Sequence, residues 1–175
     1  MDSVKHFQEH RMKARKLLLT TAVSLLIGCA PVISKSVLKD VNQAVDFQAV
    51  VENPDKYKGE TLLLGGDIIE TQPLPNKTVI IVLQRPLEFR DKPSSGVGSK
   101  GRFIVEAPGF LDPEIYSQGR KVTLVGSVSG KEERALGNIN YLYPVISSKE
   151  LYLWPVEGPW DRPRFIFGIG IGKTF

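Results

Sequence analysis

The apolar positions of this chain change rhythm along its length. Residues 17–27 form an uncharged block, Leu17-Leu-Leu-Thr-Thr-Ala-Val-Ser-Leu-Leu-Ile27, with no alternation. Beyond residue 60 the chain instead breaks into β-rich runs separated by turn residues, some with the alternation of half-buried strands. The pattern is cleanest in Val122-Thr-Leu-Val-Gly-Ser-Val128, where Val122, Leu124, Gly126 and Val128 share a face. It predicts strands at about 60–71, 77–84, 102–107, 121–131 and 138–154, the last broken near Pro144 or Ser147-Ser148. Gly65-Gly66 and Gly126 fall in mid-strand, where glycine marks a bulge or a barrel corner.

Two short helices are expected between these runs. Asp46 is a good N-cap for one before the first strand, with Phe47, Val50 and Val51 at helical spacing and Asn53-Pro54 as the stop. The other lies between the third and fourth strands. It would start at Asp112 with Pro113 at N1 and Glu114 in the first turn, and end at Gly119, with Phe110 and Leu111 as its staple. Five strands in this order predict a mainly β chain, a small OB-like antiparallel barrel, with an antiparallel sandwich as the alternative. Residues 30–42 read as a polar tether with few features that promote order.

The first 16 residues carry Lys5, Arg11, Lys13, Arg15 and Lys16 against Asp2 and Glu9. With the apolar block behind them they have the form of a secretory signal, too short and too interrupted for a span of 17–25 apolar residues. Leu26-Ile-Gly-Cys29 resembles the bacterial lipobox. That resemblance implies cleavage between Gly28 and Cys29, with a diacylglycerol on the Cys29 thiol and an acyl group on its amine. Ala30 follows where an aspartate would resemble an inner-membrane retention signal, so export to the outer membrane is implied. Two or more acyl chains would hold the protein stably in the bilayer.

Charge changes its meaning once residues 1–28 are set aside. The full chain has 23 basic and 19 acidic residues, a net charge of +4. The signal holds five of the former and two of the latter, leaving 18 against 17, and this near balance points to no nucleic-acid partner. Both histidines, His6 and His10, leave with the signal, and Cys29 is the one cysteine. A Ser-His-Asp or Cys-His site is thereby excluded from the mature chain, and no metal or other cofactor is expected. Gly96-x₄-Gly101 is followed by Arg102-Phe103 instead of the Lys-Ser/Thr of a phosphate loop. The reading is of a non-enzyme.

Several features bear on partners. The segment between the second and third strands holds Arg85, Arg90, Lys92, Lys100 and Arg102 against Glu88 and Asp91, an excess of three positive charges that could meet phosphates or carboxylates of lipopolysaccharide or cell wall. Phe103, Tyr141 and Tyr143 could supply stacking rings to a glycan, although their alternation with polar or small neighbours fits core positions better. After Trp154, Pro155, Pro159 and Pro163 give way to Phe165-Ile-Phe-Gly-Ile-Gly-Ile-Gly172, read as a further strand along the barrel or as a docking strand for an envelope protein.

From the tether onward the chain resembles the Slp family, the starvation-inducible outer-membrane lipoproteins. The residues that carry the resemblance are Asn53-Pro54, Tyr57, Gly59, Gly65-Gly66 and Ile68, then Gly101-Arg102-Phe103, Phe110-Leu111-Asp112-Pro113, Tyr116, Gly119-Arg120 and Val122-Thr-Leu-Val-Gly126. Tyr141, Tyr143-Pro144-Val145 and Tyr152-Leu153-Trp154 complete them. The resemblance implies lipidation and an outer-membrane location, and brings no catalytic residues. The expected organisation is a signal over residues 1–28, the lipidated Cys29 and its tether to 42, a β-barrel domain over 43–155 and a tail over 156–175.

Overall fold

The computed structural model describes residues 31–96 and 98–156. The signal, Gly28, Cys29 and the Phe165–Gly172 run therefore lie outside the described residues. The architecture is mainly β: β1 (Thr61–Pro73), β2 (Lys77–Gln84), β3 (Arg102–Pro108), β4 (Lys121–Leu136) and β5 (Ile139–Leu153). These close into a barrel-like ring in the order β1-β2-β3-β5-β4. All neighbours are antiparallel except β3 and β5, which run parallel from Ile104↔Val145 to Glu106↔Ser147.

Strand alternation fills the ring. Leu62, Leu64 and Ile68 of β1 point inward with Ile80 and Val82 of β2, Phe103 and Val105 of β3, Val122, Leu124 and Val128 of β4, and Ile146 of β5. A helix, α2 (Phe47–Glu52), closes one end. Asp46 caps it as expected, accepting the Gln48 N–H at 3.1 Å. Capping of this kind matters in a six-residue helix, because so short a segment has no stability of its own. Its buried face puts the Phe47 ring edge-on against Phe103 at 5.4 Å, and Leu111 and Tyr116 also pack on the core.

The outward residues are not uniformly wet. Val79, Ile81 and Ile104 form a second buried cluster with Tyr143 and Val145. Gly126 shows why β4 can pack so closely on β5. A Cβ there would lie 2.5 Å from the Ser147 carbonyl oxygen and 2.7 Å from Ile146 Cγ2. The register also shifts between Val125 and Gly126 and again between Val128 and Gly130. The first shift leaves an extra residue, Lys149, on β5 beside Ser147-Ser148, and the second an extra residue, Ser129, on β4, so β5 continues as one strand with a bulge where a break was expected.

Two expected features differ. Asp112–Gly119 is a set of turns and not a helix. Asp112 does begin one turn: its side chain accepts the Glu114 N–H at 2.9 Å and its carbonyl accepts those of Ile115 and Tyr116. The backbone is then drawn to β1, with Gly119 N–H on the Ile68 carbonyl and Ile68 N–H on that of Arg120, both at 2.8 Å. One turn is all that fits before that capture. Phe110 consequently staples nothing and stands exposed, while Leu111 turns to the core.

The other difference is the arm before α2. A short helix, α1 (Lys35–Leu38), interrupts the expected tether, and Ile33 is fully buried. Ser34 fastens to Glu150 through its N–H at 3.0 and 3.2 Å and through its hydroxyl at 2.6 Å. Lys149 reaches Asp40 at 3.3 Å, and the Asn42 N–H bonds the Thr61 carbonyl at 2.9 Å. Burying one isoleucine contributes about 1.5–3 kcal/mol. Ordering backbone costs about 1–2 kcal/mol per residue. The arm is therefore held by the apolar and polar contacts together, and the single apolar anchor would not suffice.

Replacing Gly126 with Val should lower stability to chemical denaturation by about 1–3 kcal/mol, the usual cost of overpacking. Gly130→Ala, whose added methyl meets nothing within 4 Å, should stay within about 0.5 kcal/mol of the parent.

Candidate functional site

The outer wall of β1 and β4 carries a connected set of polar contacts. Gly65 and Asp67 alternate outward from the core residues Leu64, Gly66 and Ile68, and the loop of residues 85–101 folds back over them. The approach is close. A Cβ on Gly65 would lie 2.5 Å from Leu87 Cδ2 and 2.9 Å from Pro93 Cγ, so only glycine lets the loop lie flat.

Two cations meet at Asp67. Arg85 Nε donates to one carboxylate oxygen at 2.7 Å, and Lys121 Nζ stands 3.4 Å from the other. The same lysine donates to the carbonyls of Pro93 and Ser94 at 3.1 and 2.7 Å, while Arg85 Nη1 reaches those of Gly96 and Gly98. Beside this node Trp154 Nε1 donates to Thr123 Oγ1 at 2.9 Å, and that hydroxyl donates onward to the Asp91 carbonyl at 2.7 Å. The carbonyl so held belongs to a strained turn, for Arg90 and Asp91 both take positive φ, 61° and 60°. Consecutive left-handed residues other than glycine cost on the order of 1–2 kcal/mol each. The hydrogen-bonded wall is what keeps them in place.

Between this loop and the N-terminal arm runs an open groove of about 670 Å³. Leu38, Val41 and Val45 line the arm side, Leu63 and Gly65 the floor, and Arg85 and Leu87 the loop side. Lys100 crosses to Asp46 as an ion pair between loop and arm. The Lys100 hydrogen bond, followed by the Gln48 N–H, holds the exposed Asp46 carboxyl below its ordinary value of 3.8. A smaller cavity of about 270 Å³ lies on the other side of Asp67, lined by Arg120, Lys121, Pro155 and Val156 among others. Arg120 donates to the Ile115 and Trp154 carbonyls at 2.9 and 2.8 Å, and its Nε is buried with no hydrogen-bond partner among the described residues.

The five basic residues of the loop are thus not one patch. Arg85 and Lys100 share the groove rim, and each is engaged by an aspartate of this chain. Lys92 Nζ lies 5.5 Å from the centre of the Trp154 ring, Arg90 sits in the strained turn, and the Arg102 backbone N–H bonds Tyr141 Oη at 3.0 Å. Stacking of a sugar on Phe103 and Tyr143 is overturned, since both rings are buried, and Tyr141 packs edge-on against Tyr143 at 4.7 Å. Among the described residues no three His, Cys, Asp or Glu side chains gather as metal ligands, and no helix is long and apolar enough to cross a membrane.

A model of the outer membrane lipoprotein Slp family matches residues 26–166, more than three quarters of the chain. The chain belongs to the Slp family. It is 32% identical over 155 residues to an uncharacterized protein of Haemophilus influenzae, covering 87% of this chain and 83% of that one. To the uncharacterized lipoprotein YeaY of Escherichia coli it is 28% identical over 138 residues, covering 79% and 71%. A solved structure, Schizosaccharomyces pombe Pot1pC bound to ssDNA, covers 59% of this chain and 83% of its own at 10% identity and a TM-score of 0.28, too slight a likeness to bear on function.

Membership gives this Slp-family chain a lipoprotein's place in the outer membrane and an envelope role. The residues that carried the resemblance in sequence occupy the joints just described. Gly65 seats the loop, Gly126 seats β5, Gly119 and Arg120 tie the β3–β4 connection to β1, and Trp154 holds Thr123.

Replacing Asp67 with Ala should lower stability by about 1–3 kcal/mol, since two part-buried cations lose their common partner. It should also speed amide hydrogen exchange at Ser94 more than in the core strands. The Lys100–Asp46 clasp should survive acidification to pH 3.8 and open only below it, because a depressed carboxyl stays charged through its ordinary range. Carboxyl chemical shifts followed against pH, with Lys100→Ala as reference, check this.

Proposed function

We propose that this Slp-family protein is a non-enzymatic module of the Gram-negative envelope, cleaved between Gly28 and Cys29, acylated at Cys29 and facing the periplasm from the outer membrane. Family membership together with the lipobox-like Leu26-Ile-Gly-Cys29 carries the anchoring part of this reading. The binding part rests on the groove between the N-terminal arm and the loop of residues 85–101. Its floor and walls are aliphatic at Leu38, Val41, Leu63 and Leu87, and its rim carries opposite charges at Asp46, Lys100 and Arg85. Such a mixed cleft suits an amphipathic envelope component or an apolar peptide segment better than a bare sugar, because no ring among its lining residues except the buried Phe47 could stack. A role in stress or starvation belongs to the same proposal and rests on the family resemblance alone.

A second reading keeps Arg85, Arg90, Lys92, Lys100 and Arg102 as contacts for anionic groups of lipopolysaccharide or cell wall. The placement of Arg85 and Lys100 on one groove rim favours it. The ion pairs that engage both weigh against it.

Cys29→Ser should abolish incorporation of labelled fatty acid and release the protein from the membrane fraction. Persistent labelling would refute the anchor. For the groove, a photo-crosslinking side chain at Leu63 in intact cells should give discrete adducts, and one at Asn138 on the β4–β5 turn should not. Protein adducts would identify a partner module and adducts pelleting with the sacculus a glycan reader. Equal labelling from both positions would sink the groove as the site.

A further inference from the structure

The docking of residues 33–42 on the barrel bears directly on where the domain sits. Three residues, Ala30, Pro31 and Val32, separate Cys29 from the fully buried Ile33. Four trans peptide units span at most about 14 Å. A free tether through residue 42 would have allowed more than three times that reach. The arm next to Ile33 is basic. Residues 31–39 include Lys35 and Lys39 and no acid. These two lysines stand four apart and exposed, on α1 and its C-cap, so they share a helical face. Neighbouring acids are engaged elsewhere, Asp40 by Lys149 and Glu150 by Ser34. Neither Lys35 nor Lys39 has an ion-pair partner among the described residues.

We propose that Lys35 and Lys39 press the β5 side of the barrel, on which the arm is docked, against anionic lipid headgroups of the membrane that holds Cys29. The inference rests on the acylation of Cys29 proposed above and adds an orientation to it. The anchor confines the arm to within a few Debye lengths of the bilayer, and a lysine near an anionic surface favours contact by roughly fivefold. One anchor fixes the distance, and the two charges select the wall that faces the lipid. The domain then works at the membrane surface, with the groove, whose wall is the same arm, opening beside the headgroups.

Energy transfer from the barrel to the bilayer tests this. In the acylated protein the Cys29 thiol is consumed, so a cysteine introduced at Ser36 or at Asn138 is the one thiol to carry a donor dye. The protein is placed in vesicles with an acceptor on the headgroups. In phosphatidylglycerol vesicles the donor at 36 should transfer at least twice as efficiently as the donor at 138. In phosphatidylcholine that difference should shrink, and K35E/K39E or K35Q/K39Q should shrink it in phosphatidylglycerol while thermal unfolding stays at the parent temperature. Equal transfer from 36 and 138 in phosphatidylglycerol would overturn the proposal. So would a difference that neither lipid charge nor the double substitutions alter. Failure of the acylated protein to float with phosphatidylcholine vesicles would overturn the anchor, and the proposal with it, by a separate readout.

Discussion

A ring of five strands leaves no lumen, and the inward side chains of each strand must meet those of the other four. Phe103, Ile68, Leu124 and Ile146 fill that space, and Phe47 closes one end above Phe103. Small radius is also what makes the strands bend. The shifts of register at Ile68/Glu70, Val125/Gly126 and Val128/Gly130 are where that curvature is taken up. At Gly126 the β4 backbone comes so near Ser147 that a methyl group has no room. Every connection leaves the ring where this tight closure puts it, so the loop and the arm inherit their positions from it.

Closure also decides what happens outside. Val125 and Thr123, which alternate with core residues, are as fully buried as the core itself. An outward threonine buried at that depth needs both of its hydrogen-bonding capacities used, and it has them: the Trp154 indole donates to it and the Asp91 carbonyl accepts from it. The same covering loop brings Arg85 and Lys121 onto Asp67. Two cations on one carboxylate, each with backbone carbonyls as further acceptors, leave little unsatisfied in that wall. The loop is thus built as a fixed cover, and the groove beside it has one stiff bank.

The barrel was legible in the sequence because its evidence is local. Alternation in Val122–Val128, the largely β-branched apolar run Val79–Leu83, turn residues between the runs and the Asp46 cap each report on structure within a few residues of themselves. The β2 boundaries agree, and those of β1 and β3 differ by a residue or two. What failed was non-local. Asp112-Pro113-Glu114 carries correct helix-start chemistry, yet β1 captures the chain at Gly119 before a second turn can form. The arm looked like a tether because its few apolar residues, Val32, Ile33, Val37, Leu38 and Val41, are scattered among polar ones without strand alternation. The partner that fastens it, Glu150 on Ser34, lies 116 residues away. In the candidate site, Arg85 and Lys100 were identifiable by their charge. Nothing in their spacing could show that Asp67 and Asp46 would engage them, because those pairings exist only once the loop has folded back.

The docked arm ties these levels together. It is at once a strap across β1 and β5 and one bank of the groove, and it follows directly on the segment proposed to carry lipid. Its attachments differ in kind. Ile33 is an apolar plug, Ser34–Glu150 and Asn42–Thr61 are hydrogen bonds, and Asp40–Lys149 and Asp46–Lys100 are exposed ion pairs that contribute little on their own. Ionic strength acts mainly on the ion pairs, of which Asp46–Lys100 stands at the groove, and scarcely on Ile33. Conditions that loosen the groove's arm side would therefore leave Ile33 seated, and with it the short reach to the anchor proposed at Cys29. The geometry separates the part of the arm that positions the domain from the part that shapes its cleft.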